Sequence, residues 1–350
     1  MTGILRTLPL FALLLLAACG VKTAGPTVSE RETAAEAEMQ RRTVVEVQDA
    51  HERQFHRVAN RIRRANVPLC GEKLAPSIGL RVANLDLYDA DWRDAHAAVR
   101  GLDSRLRVTS VFEDGPAHRA GIVEGDVIKS VAGRPVPEGK GALKAFGESM
   151  DALDPAAPFE LVYERDGVDH EVELTFETVC GPGLMVRNEG VVNAFASDRD
   201  VFVTRGMLDF VKSDDELAVV VGHEFAHYAM LHIENSRSRA GVGLVADVLV
   251  AVLTGVSSNV FSSVGAGMYS LEQEFEADYV GAYMARRAGY DPSVAVGLWR
   301  RMSVSGAAYI DKDSSSHPSN AERGARFKEI VAEIDAKLER GEELLPEMKE

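Results

Sequence analysis

The stretch Glu216–Ile233, ELAVVVGHEFAHYAMLHI, determines how the rest of this chain is interpreted. Its apolar run contains no proline, and Ser213 with the acids after it forms a helix start, because a serine cap and acidic first-turn side chains stabilise exposed N–H groups. The stretch therefore predicts a buried helix. On that helix His223 and His227 share one face, where both rings reach one metal ion, with Glu224 beside them. This H-E-x-x-H pattern is typical of zinc hydrolases. The alternative is a helix whose two histidines serve only the core.

A second stretch, Ser270–Ala288, offers a third ligand. In SLEQEFEADYVGAYMARRA, Glu274 and Asp278 are four residues apart and share a helical face. Small residues at helical spacing would let this helix approach another closely: Ala277, Gly281 and Ala285. Glu274 would then face the metal, and Asp278 would accept the free ring N–H of a ligating histidine. Spacing alone leaves an ordinary acidic helix surface as an equal alternative.

HEFAH followed by EFEAD resembles the zinc metallopeptidases that include HtpX and the CAAX prenyl endopeptidase, whose pattern is HExxH and then ExxxD on a later helix. VVNAFASDRDVFVTRGML and SSSHPSNAERGARF are similar to two further segments of that family. The resemblance implies three zinc ligands, His223, His227 and Glu274. It also implies that Glu224 is the general base and that Asp278 supports a ligating histidine.

The late H-P-x-x-x-x-R segment of this family corresponds to His317 and Arg323. The resemblance implies that both lie near the open side of the metal, where one of them stabilises the oxyanion of the tetrahedral intermediate. Alternatively, His317 occupies the open metal position and keeps the enzyme latent, or it is a plain loop histidine. VVNAFAS and DVFVTRG predict a hairpin, and Asn193, Ala194 and Phe195 are candidates for an edge strand that holds substrate in extended form; a plain sheet strand is the alternative.

Residues 1–19 have the pattern of a signal peptide: Arg6, an apolar stretch too short for a comfortable transmembrane helix, and then small residues. LAAC resembles the bacterial lipobox, which implies lipidation of Cys19, and Gly20 after it favours the outer membrane, facing the periplasm. Simple secretion is the alternative. Export permits a disulfide between Cys70 and Cys180, although two unrelated thiols would fit the sequence as well.

Residues 74–180 alternate short strand patterns with tight turns. RLRVTSVFEDGPAHRAGIVEGDVIKSVAGRPV resembles a PDZ domain, in which glycines permit the turns and Ile122, Val127 and Ile128 fill the core. The resemblance implies that peptide termini bind by β-augmentation beside the loop Ile78-Gly79-Leu80. Arg81 stands where a glycine is usual, which leaves specificity for chain ends open. A structural spacer is the alternative.

These patterns predict an α+β chain: a mainly helical, zincin-type metallopeptidase domain with a small β-sheet, plus an inserted PDZ-like β-rich domain. The predicted boundaries are the signal peptide 1–19, a tether 20–29, the first part of the peptidase 30–70, the PDZ-like domain 74–180, the main part of the peptidase 181–340 and an acidic tail 341–350. The apolar segment 241–264 is predicted to be a buried or cleft-covering helix, with membrane contact as the alternative.

The predicted function is that of a zinc-dependent endopeptidase, with one Zn²⁺ per chain, which hydrolyses unfolded or misassembled cell-envelope proteins in quality control. The net charge of −15 over 350 residues argues against general nucleic-acid binding, so the expected contacts are polypeptides and, through a lipid anchor, a membrane. Two alternatives remain: a periplasmic chaperone or assembly factor with a latent protease site, and a PDZ adaptor with a structural zinc.

Overall fold

The computed structural model describes residues 25–233, 269–305 and 319–348. Three predictions fall outside these ranges: the signal peptide with Cys19, the apolar segment 241–264 and His317. Residues up to Gln40 form one unit, and those from Arg41 onward form a second. Among the described helices, none is both long enough and apolar enough to cross a membrane.

Helices and strands are mixed along the chain, which confirms the predicted fold class. The described α-helices are α1 Glu30–Ala65, α2 Arg93–Arg100, α3 Pro116–Arg119, α4 Ala142–Asp151, α5 Arg205–Phe210, α6 Asp214–Ala229, α7 Leu271–Arg287, α8 Ala295–Ser305 and α9 Asn320–Glu339. The described strands are β1 Leu74–Ser77, β2 Leu80–Ala83, β3 Arg107–Val111, β4 Val127–Val131, β5 Arg134–Pro135, β6 Phe159–Arg165, β7 Val168–Leu174, β8 Glu177–Cys180, β9 Gly183–Arg187, β10 Ala194–Ala196 and β11 Asp200–Thr204.

The larger apolar core combines α1 with the chain that follows β8. Phe55, Val58 and Ile62 of α1 are fully buried, and they pack in one cluster with apolar residues of α6, α7 and α9. Their spacing is that of one helical stripe. The first helix is therefore part of the same core as the HEFAH helix, although more than 100 residues separate them.

The stretch between them folds around its own core. A six-stranded sheet runs in the order β2-β3-β4-β6-β7, with β5 paired to β4. Ile122, Val127 and Ile128 are buried as predicted, and α4 packs its buried residues Ala142 and Phe146 in the same core. Asp166 and Gly167 both have positive φ in the turn between β6 and β7, the conformation that a two-residue hairpin turn requires.

The two ends of this region meet at a disulfide. Cys70 and Cys180 are bonded, with their Cα atoms 5.7 Å apart. Beside them β1 pairs with β8 in antiparallel register, Leu74 opposite Cys180. The polypeptide thus leaves the larger core and returns to it at one place.

We expect the purified, oxidised protein to resist alkylation of Cys70 and Cys180 until it is reduced and unfolded. Replacing both cysteines with serine should lower the free energy of unfolding by about 3–5 kcal/mol, because the disulfide closes a loop of 110 residues in the unfolded chain. Mass spectrometry after maleimide labelling tests the resistance to alkylation, and urea denaturation measures the change in the free energy of unfolding. Labelling of both thiols without reductant would refute the bond.

Candidate metal centre

The HEFAH segment lies in α6, a helix that is buried along almost its whole length. Ser213 caps its start, since its hydroxyl oxygen accepts a hydrogen bond from the N–H of Glu216 at 3.2 Å. His223, Glu224 and His227 are all buried, with 5%, 7% and 1% of their surface exposed. Neutral or charged polar groups in such a position need partners, because burying them without any is unfavourable.

A pair of glycines lets α6 and α7 cross in backbone contact. A Cβ atom on Gly222 would lie 2.5 Å from the carbonyl oxygen of Gly281, and a Cβ on Gly281 would lie 2.7 Å from the carbonyl carbon of Gly222. Ala277 and Ala285, on the same stripe, are fully buried. The small-residue stripe predicted from the sequence is therefore the contact that brings Glu274 to the histidines.

Three donor atoms converge at this crossing. The Nε2 atoms of His223 and His227 are 3.1 Å apart; the first lies 3.5 Å from Oε2 of Glu274 and the second 3.5 Å from Oε1 of the same carboxylate. Ligands of a tetrahedral zinc ion, at about 2.0–2.1 Å from the metal, are about 3.4 Å from one another. The spacing and the two-nitrogen, one-oxygen donor set therefore fit a zinc ion, and among the described residues this trio forms the cluster able to hold one.

Behind His223, away from the converging atoms, lie Asp278 and Arg323. Asp278 Oδ1 is 2.9 Å from His223 Nδ1, and the guanidinium of Arg323 donates to both carboxylate oxygens at 2.5 and 2.8 Å. The Arg323 guanidinium also stacks 3.6 Å from the centre of the Trp299 ring. This corrects the expectation that Arg323 lies on the open side of the metal: the buried carboxylate of Asp278 holds the guanidinium on the Nδ1 side of His223.

Burial and charge act against each other in this cluster. Burial alone would raise the pKa of Asp278, but Arg323 and His223 hold it below its ordinary value, so the carboxylate is ionised. Burial would lower the pKa of His223, whereas Asp278 and Glu274 raise it to about 10. A metal ion would therefore compete with a proton for the Nε2 atom of His223.

His227 has an equivalent support that the sequence reasoning missed. Its Nδ1 lies 2.9 Å from Nδ1 of His232, whose Nε2 lies 2.7 Å from a carboxylate oxygen of Glu276. His232 is 1% exposed, and burial lowers its pKa. It reaches this position because Leu231 has a φ of +56°, which turns the chain back at the end of α6. A third histidine inside the buried HEFAH stretch was the signal available in the sequence.

A single arrangement of protons satisfies this chain of contacts. If Nε2 of His227 binds a metal, its Nδ1 carries the proton and donates to His232. Nε2 of His232 then carries a proton that it donates to Glu276. The His227 ring is also held from one face by Tyr269, whose ring centre is 3.8 Å away.

The predicted hairpin places a strand edge beside α6. β10 pairs antiparallel with β11, packs against α6 and is the end strand of the three-stranded sheet within the described residues. Thr204 N donates to Asn193 O, and Ser197 N donates to Asp200 O. Bonded and non-bonded pairs alternate in an antiparallel ladder, so the N–H and C=O groups of Ala194 and Ala196 point away from β11. Among the three residues predicted for the substrate strand, Ala194 has backbone N–H and C=O groups that point away from β11. The backbone groups of Asn193 and Phe195 point toward β11.

Known proteins match this chain in two separate regions. Residues 181–331 match the family model for peptidase family M48, and residues 76–176 match that for a PDZ domain. The mitochondrial metalloendopeptidase OMA1 of Arabidopsis thaliana is 32% identical over 163 residues, covering 46% of this chain and 33% of the relative. The metalloprotease LoiP of Escherichia coli is 24% identical over 150 residues, covering 40% of this chain and 59% of the relative.

A crystal structure of the HtrA3 PDZ domain bound to a phage-derived ligand aligns with 30% of this chain and 88% of that domain, at 24% identity and a TM-score of 0.23. The segments that match OMA1 and LoiP span less than two thirds of the length of either relative. The family match includes α6 and α7, with the donor atoms of His223, His227 and Glu274. Residues 181–331 of this chain are therefore similar to peptidase family M48, and residues 76–176, which precede them, are similar to a PDZ domain.

Proposed function

We propose that this chain is a zinc-dependent endopeptidase that hydrolyses peptide bonds of cell-envelope proteins. The observation that carries the proposal is the convergence of two imidazole nitrogens and the Glu274 carboxylate within 4.8 Å of one another, with Glu224 on the same helix. The E-x-x-x-D spacing of Glu274 and Asp278 supports the narrower kinship with HtpX and the CAAX prenyl endopeptidase.

His223, His227 and Glu274 would hold the zinc ion, leaving one position for solvent or substrate. When bound, zinc supplies a Lewis acid that acidifies water and polarises the scissile carbonyl. Glu224 accepts the proton of the attacking water and passes it to the departing amine. Because Glu224 is buried, its carboxylate acts where little bulk water competes for the proton. We propose His317 as a further group on the open side, either stabilising the oxyanion or blocking the metal.

The outward N–H and C=O groups of Ala194 and Ala196 support an extended mode of substrate binding. A substrate strand that pairs with them would run alongside β10, which packs against α6, the helix that carries Glu224. Asn193 and Phe195 would hold this edge in place, the first through Thr204 and the second through its ring, which stacks on Phe202 at 4.7 Å. Unfolded segments are therefore the proposed substrates.

We expect His232→Leu to weaken zinc binding by about 10- to 100-fold, because it removes the acceptor that fixes the Nδ1–H tautomer of His227. Glu276→Gln alters the partner of His232 and not that of His227, so it should weaken zinc binding less than His232→Leu does. Competition with a fluorescent chelator measures the affinity, and the visible spectrum of the Co²⁺ form reports ligand geometry.

His118→Leu is the matched control, since His118 is exposed and lies on α3 of the PDZ domain. It should bind zinc as tightly as the wild type does. Unchanged zinc affinity and Co²⁺ spectrum in His232→Leu would show that His232 does not position His227.

The biological setting is proposed as quality control at the bacterial envelope, with a lipid on Cys19 anchoring the protein to the outer membrane on its periplasmic side. The signal-like pattern of residues 1–19 supports export. Radiolabelled palmitate should label the wild type and not Cys19→Ser.

Comparison of envelope peptide fragments from cells producing wild type or Glu224→Gln tests the biological role. Fragments that require Glu224 identify substrates, and client proteins that accumulate intact on the wild type would favour a chaperone.

A further inference from the structure

The PDZ domain is joined to the rest of the chain by a disulfide junction and by a polar contact with α1. At the junction, Cys70 and Cys180 are bonded to each other. The buried apolar residues of the domain form one cluster, whereas those of α1, α6, α7 and α9 belong to another. Within the described ranges, the two parts therefore meet without a shared apolar core.

Charged side chains connect the second half of α1 to the PDZ domain. The ion pairs, with the α1 residue named first, are Glu52 with Arg81 at 3.2 Å, Asp49 with Arg100 at 3.0 Å, and Arg53 with Glu124. Arg64 of α1 also donates to the carbonyl oxygens of Glu113 and Asp114 at 2.8 and 2.7 Å. Ion pairs that water can reach contribute little stability each. A modest change of charge in this contact can therefore alter how firmly the domain is held.

His56 of α1 lies in this contact and is buried, with 3% of its surface exposed. Its ring stacks on that of Phe112, the residue after β3, with 6.3 Å between the ring centres. The charges that act on the ring come from Arg81 of β2 and Arg63 of α1, and both are positive. Burial, together with these two charges, holds the pKa of His56 well below its ordinary value, so the ring is neutral at pH 7.

A second buried histidine, His96, lies one turn before Arg100 on α2, and Arg100 pairs with Asp49 of α1. His96 is 5% exposed, and its ring stacks on that of Tyr88 with 3.5 Å between the ring centres. Its Nδ1 atom is buried and has no hydrogen-bond partner among the described residues. Burial and the positive charge of Arg100 lower the pKa of His96 to about 4, although Asp49 acts in the opposite direction. His96 is therefore also neutral at pH 7.

A proton on either ring would add positive charge where arginines already use the nearby carboxylates. One carboxylate oxygen of Glu52 lies 3.2 Å from Arg81 and 3.6 Å from Arg100. An imidazolium beside these arginines would be repelled by them, and burial would leave it poorly solvated. The closed contact therefore favours neutral rings at His56 and His96, and histidine is the side chain whose charge ordinarily changes between pH 5 and 8.

The direction of the pH effect depends on which form of the contact binds protons more tightly. With the domain released from α1, water reaches both rings and each pKa returns to about 6.5. In the closed contact both pKa values are lower. Below pH 6.5 the released form binds protons that the closed form does not, so each histidine shifts the balance toward release by about tenfold per pH unit. Above pH 7 both rings are neutral in either form, and their titration no longer affects the balance.

We propose that the contact between α1 and the PDZ domain is a pH-sensitive switch, closed at neutral pH and released at mildly acidic pH when His56 and His96 take up protons. The domain then pivots about the junction of Cys70 and Cys180, which stays bonded. The position of the PDZ domain relative to α6 would thus depend on pH. This inference goes beyond the proposed endopeptidase function and is independent of hydrolysis.

Energy transfer between two dyes measures the release in the full-length chain. The dyes are attached after Val168→Cys in the PDZ domain and Val304→Cys in α8, positions that are 57% and 86% exposed. Cys19→Ser removes the remaining thiol, since Cys70 and Cys180 are bonded. Between pH 7.5 and pH 5.0, we expect the ratio of closed to released form to fall by about 10²- to 10³-fold, the product of two histidine effects.

Replacing both histidines with phenylalanine should keep the domain closed at pH 5.0. His56→Phe and His96→Phe retain rings that stack on Phe112 and Tyr88, but these rings cannot take up a proton. Each single variant should keep about a 10- to 30-fold change in the ratio, because one histidine remains. Thermal melting at pH 7.5 checks that the variants are folded. If the phenylalanine pair does not fold, His56→Gln with His96→Gln, which is also uncharged and is smaller, takes its place.

His118→Phe is the matched control, because His118 is exposed on α3 of the same domain. It should release at pH 5.0 as the parent does. All variants keep the proposed metal centre, so loss of zinc at low pH cannot produce a difference between them. Unchanged energy transfer in the parent at pH 5.0, or release of the folded double variant at the same pH as the parent, would overturn the inference. Hydrolysis without release would refute only this inference, and release without hydrolysis only the endopeptidase proposal.

Discussion

Replacing Glu224 with glutamine should reduce peptide hydrolysis by about 10³- to 10⁴-fold while the protein keeps its zinc. Glutamine has nearly the same shape as glutamate but cannot take up the proton of the attacking water. The three proposed metal ligands, His223, His227 and Glu274, are unchanged. Cleavage of a quenched, fluorescently labelled unfolded protein measures the rate, and elemental analysis measures zinc per chain.

The matched control for this substitution is Glu272→Gln. Glu272 is an exposed glutamate in the first turn of α7, two residues before the proposed ligand Glu274. The control should hydrolyse the same substrate at close to the wild-type rate. If Glu224→Gln cleaves as fast as the wild type with zinc bound, Glu224 is not the base and the proposed mechanism is wrong.

Gly281→Ala should destabilise the fold and release the metal together. The added Cβ would lie 2.7 Å from the backbone nitrogen of His223 and from the carbonyl carbon of Gly222, and neither backbone atom can move without displacing α6. Overpacking of this kind costs about 1–3 kcal/mol or more. A shift of α7 by even a fraction of an ångström also moves Glu274 away from both rings. Urea denaturation gives the loss of stability, and chelator competition gives the loss of zinc affinity.

Gly297→Ala separates this effect from a general response of helices to alanine. Gly297 lies in α8, and a Cβ there would meet nothing within 4 Å. Alanine should stabilise that helix by about 0.5–1 kcal/mol, because glycine is the poorer helix former. The interpretation of the helix crossing fails if Gly281→Ala keeps both wild-type stability and wild-type zinc affinity.

Local periodicity was sufficient to find most of the proposed metal centre. His223 and His227 are four residues apart, as are Glu274 and Asp278, and helix geometry alone puts each pair on one face. Gly281, within a stripe of small residues, then indicated which face of α7 could come close to α6. The PDZ turns were also predictable, since positions such as Gly167 need a positive φ that few other residues adopt.

Features that depend on tertiary contacts were not predictable in the same way. His232 joins the centre because Leu231 adopts a positive φ, a conformation that leucine rarely shows and that no pattern announces. Arg323 was expected on the open side of the metal. Its guanidinium instead pairs with Asp278, because the folded chain places that buried carboxylate beside it.

The closeness of Cys70 and Cys180 makes the PDZ domain a removable module. With these Cα atoms 5.7 Å apart, a linker of two or three residues would span the gap left by deleting everything between them. The remaining chain would not be stretched by the loss, and a domain of another specificity could be inserted at the same junction. Recombination of genes can therefore exchange the inserted domain without altering the residues of the proposed metal centre, His223, His227 and Glu274.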